Sequence, residues 1–295
     1  CRSRRLRLSD RTEWPGWTRT PPSAPDARRT HVLVPTEPLT DSVVNPRAFG
    51  RILQLTDFHL GESHDKQVYG IETSRCLDNV MDHFIRNHWD PDLLLLTGDL
   101  AEEPTPRTYT GIAQRFSPLG IQTVCLPGNH DDPVAMRETL APRGLGVPKV
   151  VALDRWRILL LDSSQSGSSR GRIGRHQLDW LESTLREYRE NWILVALHHH
   201  PITSGSPWMD GMRVEDSDEF LNLISAFTHV KACIFGHVHQ EIDCGLRGIR
   251  FLGSPSTCVQ FAPGCHSLTT NADRPGYRVL DLFDTGEIET QVVRI

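Results

Sequence analysis

The amino-acid sequence predicts a layered α/β sandwich with mixed sheets, and three observations carry that expectation. From residue 50 onward, short apolar runs alternate with segments of helical period. From Val230 to the end only strand-like runs and turn residues remain. The chain has 295 residues, 38% hydrophobic and 23% charged, enough for one large domain with a substantial core or for two small ones. Alternation followed by a β-rich end is the pattern of stacked layers.

The elements follow in order. Arg51–Thr56 (RILQLT) reads as the first strand. Leu77, Val80, Met81, Phe84 and Ile85 then keep the i, i+3, i+4 spacing of an amphipathic helix. Leu93–Thr97 (LLLLT) is a buried strand, Pro106–Phe116 a helix, Ile121–Leu126 a strand and Pro133–Leu140 a helix. Arg157–Asp162 and Trp192–Leu197 are strands bracketing a helix that carries Leu178, Leu181 and Leu185. Phe220, Leu221, Ile224 and Phe227 mark a further helix before the strand Val230–Phe235. Glu241–Leu246, Ile249–Gly253, Tyr277–Phe283 and Ile288–Arg294 complete the strands.

Residues 1–49 differ. Eight arginines precede residue 30, prolines recur from Pro15 to Pro46, and no hydrophobic period persists. Such a composition buries too little surface to offset chain entropy, so this stretch is expected to be a disordered or spurious N-terminal extension, with residues 50–295 as the functional domain. It lacks the apolar core of a secretory leader, and no run approaches the ~20 apolar residues that cross a bilayer. A net charge of −5 offers no general attraction to nucleic acid or anionic membranes. Seven cysteines without a C-x-x-C pair, two of them in the apolar runs around Cys125 and Cys233, suit a reducing compartment.

What ends each buried strand carries the chemistry. The first strand runs into Asp57-Phe58-His59, the second into Gly98-Asp99, and the third into Gly128-Asn129-His130-Asp131. Later strands run into His198-His199-His200-Pro201 and Gly236-His237-Val238-His239. Singly, each segment is as readily turn chemistry or a hydrogen-bonded core histidine. Together, five strand ends carrying Asp, His and Asn can meet at one edge of the sheets, where α/β proteins bind ligands. Carboxylates, imidazoles and an amide without thiolates suit Mn, Fe or Zn. A carboxylate shared by two cations sets them ~3.5–4 Å apart, the separation of two-metal hydrolysis, in which bound water is activated near neutral pH.

D-x-H, G-D, G-N-H-[DE], H and G-H-x-H in this order resemble the calcineurin-like metallophosphoesterase superfamily over roughly residues 50–295. The resemblance implies a four-layer αββα sandwich with two mixed β-sheets. It implies one metal held by Asp57, His59, Asp99 and His239, and a second held by Asp99, Asn129, His198 and His237. Asp99 is then the bridge, and His198 is chosen because the superfamily's ligand is the first histidine of the run. His130 is expected to be catalytic, as donor or general acid to the phosphate, beside Asp99. Substrate would meet His59, Asp99, Asn129, His130 and His239.

Residues 197–210, 236–243, 255–263 and 275–282 further resemble bacterial class III 3′,5′-cyclic AMP phosphodiesterases of the CpdA type. That likeness implies hydrolysis of cyclic AMP to 5′-AMP by a metal-bridging hydroxide in the bacterial cytoplasm. The 255–263 segment, with Phe261, is expected to wall the pocket, and Trp208 is as readily a packing residue. Alternatives are a broader phosphodiesterase or nucleotidase acting on 2′,3′-cyclic nucleotides or monoesters, and a non-catalytic metal or nucleotide sensor. A nuclease is disfavoured by the acidic balance.

Overall fold

The computed structural model describes residues 50–295; the expectation for residues 1–49 lies outside them. The strands in chain order are β1 (Gly50–Leu55), β2 (Gln67–Val68), β3 (Ile71–Glu72), β4 (Leu93–Thr97), β5 (Thr123–Leu126), β6 (Leu145–Gly146) and β7 (Val150–Leu153). They continue with β8 (Trp156–Leu160), β9 (Trp192–Ala196), β10 (Val230–Phe235), β11 (Ile242–Leu246), β12 (Ile249–Gly253), β13 (Gly276–Leu282) and β14 (Ile288–Arg294). The helices are α1 (Thr73–Arg86), α2 (Pro106–Phe116), α3 (Pro133–Leu140), α4 (Arg175–Glu187), α5 (Pro207–Asp210) and α6 (Ser217–Ser225).

Twelve of these strands form two six-stranded mixed sheets, ordered β14-β13-β1-β4-β5-β6 and β11-β12-β10-β9-β8-β7. In the first sheet β1, β4, β5 and β6 run parallel and β13 and β14 pair antiparallel at one side; in the second β12, β10, β9 and β8 run parallel between antiparallel edges β11 and β7. Parallel strands covered on both faces need apolar side chains at every position, and β4 supplies them. Leu93 and Leu95 face a core shared with Leu194, Ala196, Ala232 and Ile234 of the second sheet. Leu94 and Leu96 face the opposite way, onto Leu77, Phe84, Ile112 and Phe116 of α1 and α2. The second sheet repeats this: Ile193 and Val195 pack on Leu178, Leu181 and Phe220 of α4 and α6. Three cores therefore separate four layers, helix–sheet–sheet–helix, the αββα sandwich.

Local signals set where the helices begin. Asp132 caps α3 by accepting from the amides of Val134 and Ala135 (2.9 and 3.0 Å), and Pro133 occupies the first turn, where its missing N–H costs nothing. In α1 the buried face is Leu77, Val80, Met81 and Phe84, while Ile85 turns outward, 46% exposed. Phe227, expected on the helix before β10, lies two residues past the end of α6.

β1 is locked to β13 across 230 residues by a bidentate Arg51–Asp281 pair (Nε–Oδ1 2.6 Å, Nη2–Oδ2 2.8 Å). Between the sheets, the buried Gln54 amide donates to Thr97 Oγ1 (2.8 Å) and the Phe235 carbonyl (3.1 Å), joining β1 to β4 and β10. Ser254 donates to Gln54 Oε1. The buried Arg278 guanidinium reaches the carbonyls of Gly253 (2.7 Å) and Ile242 (3.1 Å). This polar seam fixes how one sheet sits on the other near the strand ends. All six cysteines of the described residues are free, and no helix among them is long and apolar enough to cross a membrane.

Candidate metal centre

The C-terminal ends of β1, β4, β5, β9 and β10 open onto one edge of the sandwich, and the five predicted segments follow them directly. Asp57, His59, Asp99, His237 and His239 all have positive φ, between 48° and 66°. Left-handed backbone costs a non-glycine residue free energy and persists only where surroundings enforce it. Here the enforcement is visible: the Asp57 amide donates to the Gly98 carbonyl and the His59 amide to the Asp99 carbonyl, both at 3.0 Å. Gly128 and Gly236 allow the segments to close in, because a methyl at Gly128 would land on the Asp99 carboxylate and one at Gly236 on Thr56 and Asp57.

Asp131 organises the third segment rather than facing the centre. It accepts from the amides of Gly128 (2.9 Å), Leu100 and Ala101 (both 3.1 Å) and from the Tyr109 hydroxyl (3.0 Å). The loop so held turns Asn129 and His130 inward.

Every predicted ligand is at this edge, and their atoms converge. Asp57, His59 and His239 bring one donor atom each within 4.8 Å of one another, and so do Asp57, Asp99 and His198. Asp57 Oδ1 is 3.2 Å from His239 Nε2, and Asp99 Oδ2 is 3.2 Å from His198 Nε2 and 3.8 Å from His59 Nε2. His237 groups with His198 and His199, and its amide donates to both Asp57 oxygens (3.2 and 3.1 Å). Of the three consecutive histidines, His198 alone faces the carboxylates. His199 Nδ1 pairs with Ser163 Oγ (2.8 Å), and His200 lies 3.6 Å from Asp210.

Hydrogen bonds fix the tautomers. His198 Nδ1 lies 2.8 Å from the Thr97 carbonyl, His239 Nδ1 2.7 Å from the Val259 carbonyl, and His59 Nδ1 2.9 Å from the Glu102 carboxylate. Each partner is acceptor-only, so each Nδ1 carries the proton and, in the neutral ring, Nε2 keeps a bare lone pair. His59 Nε2 and His239 Nε2 nevertheless face one another at 3.4 Å, with Asp57 Oδ1 beside them. Asn129 Oδ1 and His237 Nε2 are buried without a hydrogen-bond partner. Acceptors crowded this way repel unless a cation lies among them, and orphaned buried polar atoms are costly. The residues therefore fit metal ions.

Glu102, absent from the sequence-based expectation, bridges His59 and His130, with its Oε2 2.9 and 3.1 Å from their Nδ1 atoms. Those hydrogen bonds hold the Glu102 carboxyl far below the ordinary glutamate range. Burial lowers the His130 pKa, but the Glu102 hydrogen bond and the Asp99 charge outweigh it and hold the imidazole at about 9. His237 moves the other way: burial and three neighbouring imidazoles push it well below the usual histidine value, so it is neutral.

Two cavities meet at the centre. One, of about 310 Å³, is bordered by His59, Asp99, Asn129, His130 and His239, the residues expected to meet substrate, together with Trp208 and Phe261. The other, of about 350 Å³, holds Lys66 and Glu102. Phe261 stacks on His239 (4.2 Å between centroids, 17° between planes), and Trp208 meets Phe261 edge-on at 5.2 Å.

An αββα sandwich whose paired sheets end in carboxylates and imidazoles fitted to metal ions defines a metal-dependent phosphoesterase class. The chain belongs to the calcineurin-like phosphoesterase family, which it matches over residues 50–241. It is 37% identical over 246 residues to the 3′,5′-cyclic adenosine monophosphate phosphodiesterase CpdA of Escherichia coli, spanning 83% of this chain and 90% of the relative. A 3′,5′-cyclic-nucleotide phosphodiesterase of Nostoc is 36% identical over 244 residues, 83% of this chain and 92% of the relative. Among solved structures, a dimetal phosphatase from Danio rerio shares the fold with a TM-score of 0.57 at 12% identity, covering 84% of this chain and 99% of its own. A purple acid phosphatase from yellow lupin does so with 0.61 at 16% identity, covering 83% and 51%.

Proposed function

We propose that this protein hydrolyses 3′,5′-cyclic AMP to 5′-AMP at a dinuclear metal centre. Asp57, His59, Asp99 and His239 hold one ion and Asp99, Asn129, His198 and His237 the other, with Asp99 shared. The observation that carries the reading is the opposed pair of ring nitrogens on His59 and His239, with the orphaned Asn129 and His237 atoms beside them. Borderline ligands of this kind suit Mn, Fe or Zn. When bound, such a pair of ions supplies a nucleophile at neutral pH and neutralises charge on the phosphoryl oxygens.

The chain's own residues do the rest. With its Nδ1 on Glu102, His130 has Nε2 left for the substrate, and the carboxylate partner favours the protonated ring. As the new phosphorus–oxygen bond forms and the bond to the ribose 3′ oxygen breaks, His130 Nε2 delivers its proton to that oxygen. Glu102 positions the ring and, through His59, ties its orientation to the centre. The substrate choice is supported by the two relatives named above, whose alignments span 83% of this chain.

The test is to incubate Mn²⁺-loaded protein with 3′,5′-cyclic AMP, 2′,3′-cyclic AMP, 5′-AMP and a chromogenic diester, and to resolve the products by chromatography. Conversion of 3′,5′-cyclic AMP to 5′-AMP, with 5′-AMP itself untouched, is expected. Turnover of the chromogen or the 2′,3′ isomer with 3′,5′-cyclic AMP intact would overturn the substrate assignment.

A further inference from the structure

The hairpin between β2 and β3 carries an aromatic ring at its tip that neither fold nor metal centre requires. Its two strands pair Gln67 with Glu72 and Val68 with Ile71, leaving Tyr69 and Gly70 as a two-residue turn. Both turn residues have positive φ, 51° and 80°. Such turns favour Asn, Asp or Gly at the first position, where a tyrosine is strained. Tyr69 is nevertheless 58% exposed, so burial does not repay that strain.

Its surroundings supply a reason. Tyr69 borders both cavities at the metal centre, and its ring stands edge-on to Phe261 at 6.3 Å. Val68 and Ile71 pack onto the second-sheet core that includes Phe261, so the hairpin is anchored while its tip projects. At its base Lys66 Nζ is fixed to Glu103 at 2.7 Å. The 310 Å³ cavity that Tyr69 borders is also walled by Trp208, Met209, Met212, Phe261 and Leu268, an aromatic and thioether lining that suits a flat heteroaromatic ring. The second cavity, with Lys66, Gln67 and Glu102, is polar and does not.

We infer that Tyr69 is a specificity residue: its ring stacks on the nucleobase of the substrate, which occupies the cavity walled by Trp208, Met212 and Phe261. This rests on the proposed nucleotide substrate and deepens it. Stacking on a base distant from the phosphorus is the same in ground and transition states, so it governs KM rather than kcat.

Tyr69→Ala is therefore expected to raise KM for 3′,5′-cyclic AMP about tenfold, the equivalent of roughly 1.4 kcal/mol of stacking, with kcat unchanged. Tyr69→Phe keeps the ring and restores KM. Base-free ribose 3′,5′-cyclic phosphate should be hydrolysed equally by wild type and Tyr69→Ala. Equal losses on the two substrates, or a fall in kcat alone, would overturn the inference, since Tyr69 would then act through the shape of the centre. Equilibrium binding separates this from the substrate assignment itself. If 3′,5′-cyclic AMP is inert but 5′-AMP binds wild type about tenfold tighter than Tyr69→Ala while ribose 5-phosphate does not discriminate, the platform stands and the proposed reaction falls. If 5′-AMP binds both proteins equally, the platform falls.

Discussion

The two sheets bring different chemistry to the shared edge. Among the proposed ligands and their partners, loops of the first sheet contribute the carboxylates Asp57, Asp99 and Glu102, along with His59, Asn129 and His130; loops of the second contribute the histidines His198, His237 and His239, and with them the apolar wall of Trp208, Met212 and Phe261. In the first half the acids and imidazoles are already in contact with one another. In the second, His199 Nε2, His200 Nδ1 and His237 Nε2 are buried without a hydrogen-bond partner. The acidic groups of the proposed site thus lie on one sheet and its later imidazoles on the other; among these, His198 is held up to about 9 against burial by the Asp99 carboxylate and His237 is pushed down by burial. Neither half is a complete site, and the Gln54 seam that joins the sheets sets the gap between them.

Removing the shared carboxylate should break this arrangement most severely. Asp99→Ala is expected to lose bound metal and lower kcat/KM by roughly 10³-fold or more, read by elemental analysis and steady-state kinetics. An active, metal-replete variant would sink the two-ion reading. His130→Ala should keep its metal content and lose about 10²–10⁴-fold in kcat, the usual worth of a general acid; unchanged turnover would remove it from catalysis.

Glu102→Gln tests the carboxylate half more gently, with an expected 10–100-fold loss in metal affinity or activity. It also has a signature apart from activity. In metal-free protein the His130 ring should titrate near 9 by NMR, and Glu102→Gln should bring it down. The sign is definite: a folded pKa above the unfolded ~6.5 adds stability that is full below that value and is lost as pH rises through about 9. The corresponding change beside the other sheet's histidines, Asp210→Asn, should alter kcat/KM by less than about threefold, because Asp210 meets His200, which is outside the proposed ligand set. A loss as large as that of Glu102→Gln would erase the contrast between the halves.

The ligand segments were legible in the sequence because each directly follows a strand apolar enough to identify. The layered α/β class was legible for the same reason, since runs such as LLLLT can only be covered on both faces, whereas the four-layer order came from the family resemblance. What escaped was short or distant. The pairs Gln67–Val68 and Ile71–Glu72, the two-residue β6 and the four-residue α5 are too brief to show a period. Glu102 follows Asp99 by three residues, but its two partners lie 43 and 28 positions away in opposite directions, and only the fold unites them. The one signal available was chemical: the proposed ligand His59 and the proposed acid His130 each need an acceptor for the second ring nitrogen. Ile85 fits the apolar period of α1 yet points outward, because one helical turn cannot bury every residue that a spacing rule admits.

The pairing of β1 with β13 bears on how the protein comes to exist. The strand that leads into Asp57 and His59 completes its hydrogen bonding only with a partner some 230 residues further along the chain, Arg51 lying opposite Asp281. Closing so long a loop costs entropy before any contact repays it, so folding should be slow and dominated by distant pairings. On the ribosome, the acidic loops emerge well before β9 and β10 can offer their histidines. A cation captured early would meet only half a cage. With His239 brought to His59 across 180 residues, a cation held by the proposed ligands would act as a cross-link between the first strand of the domain and its tenth.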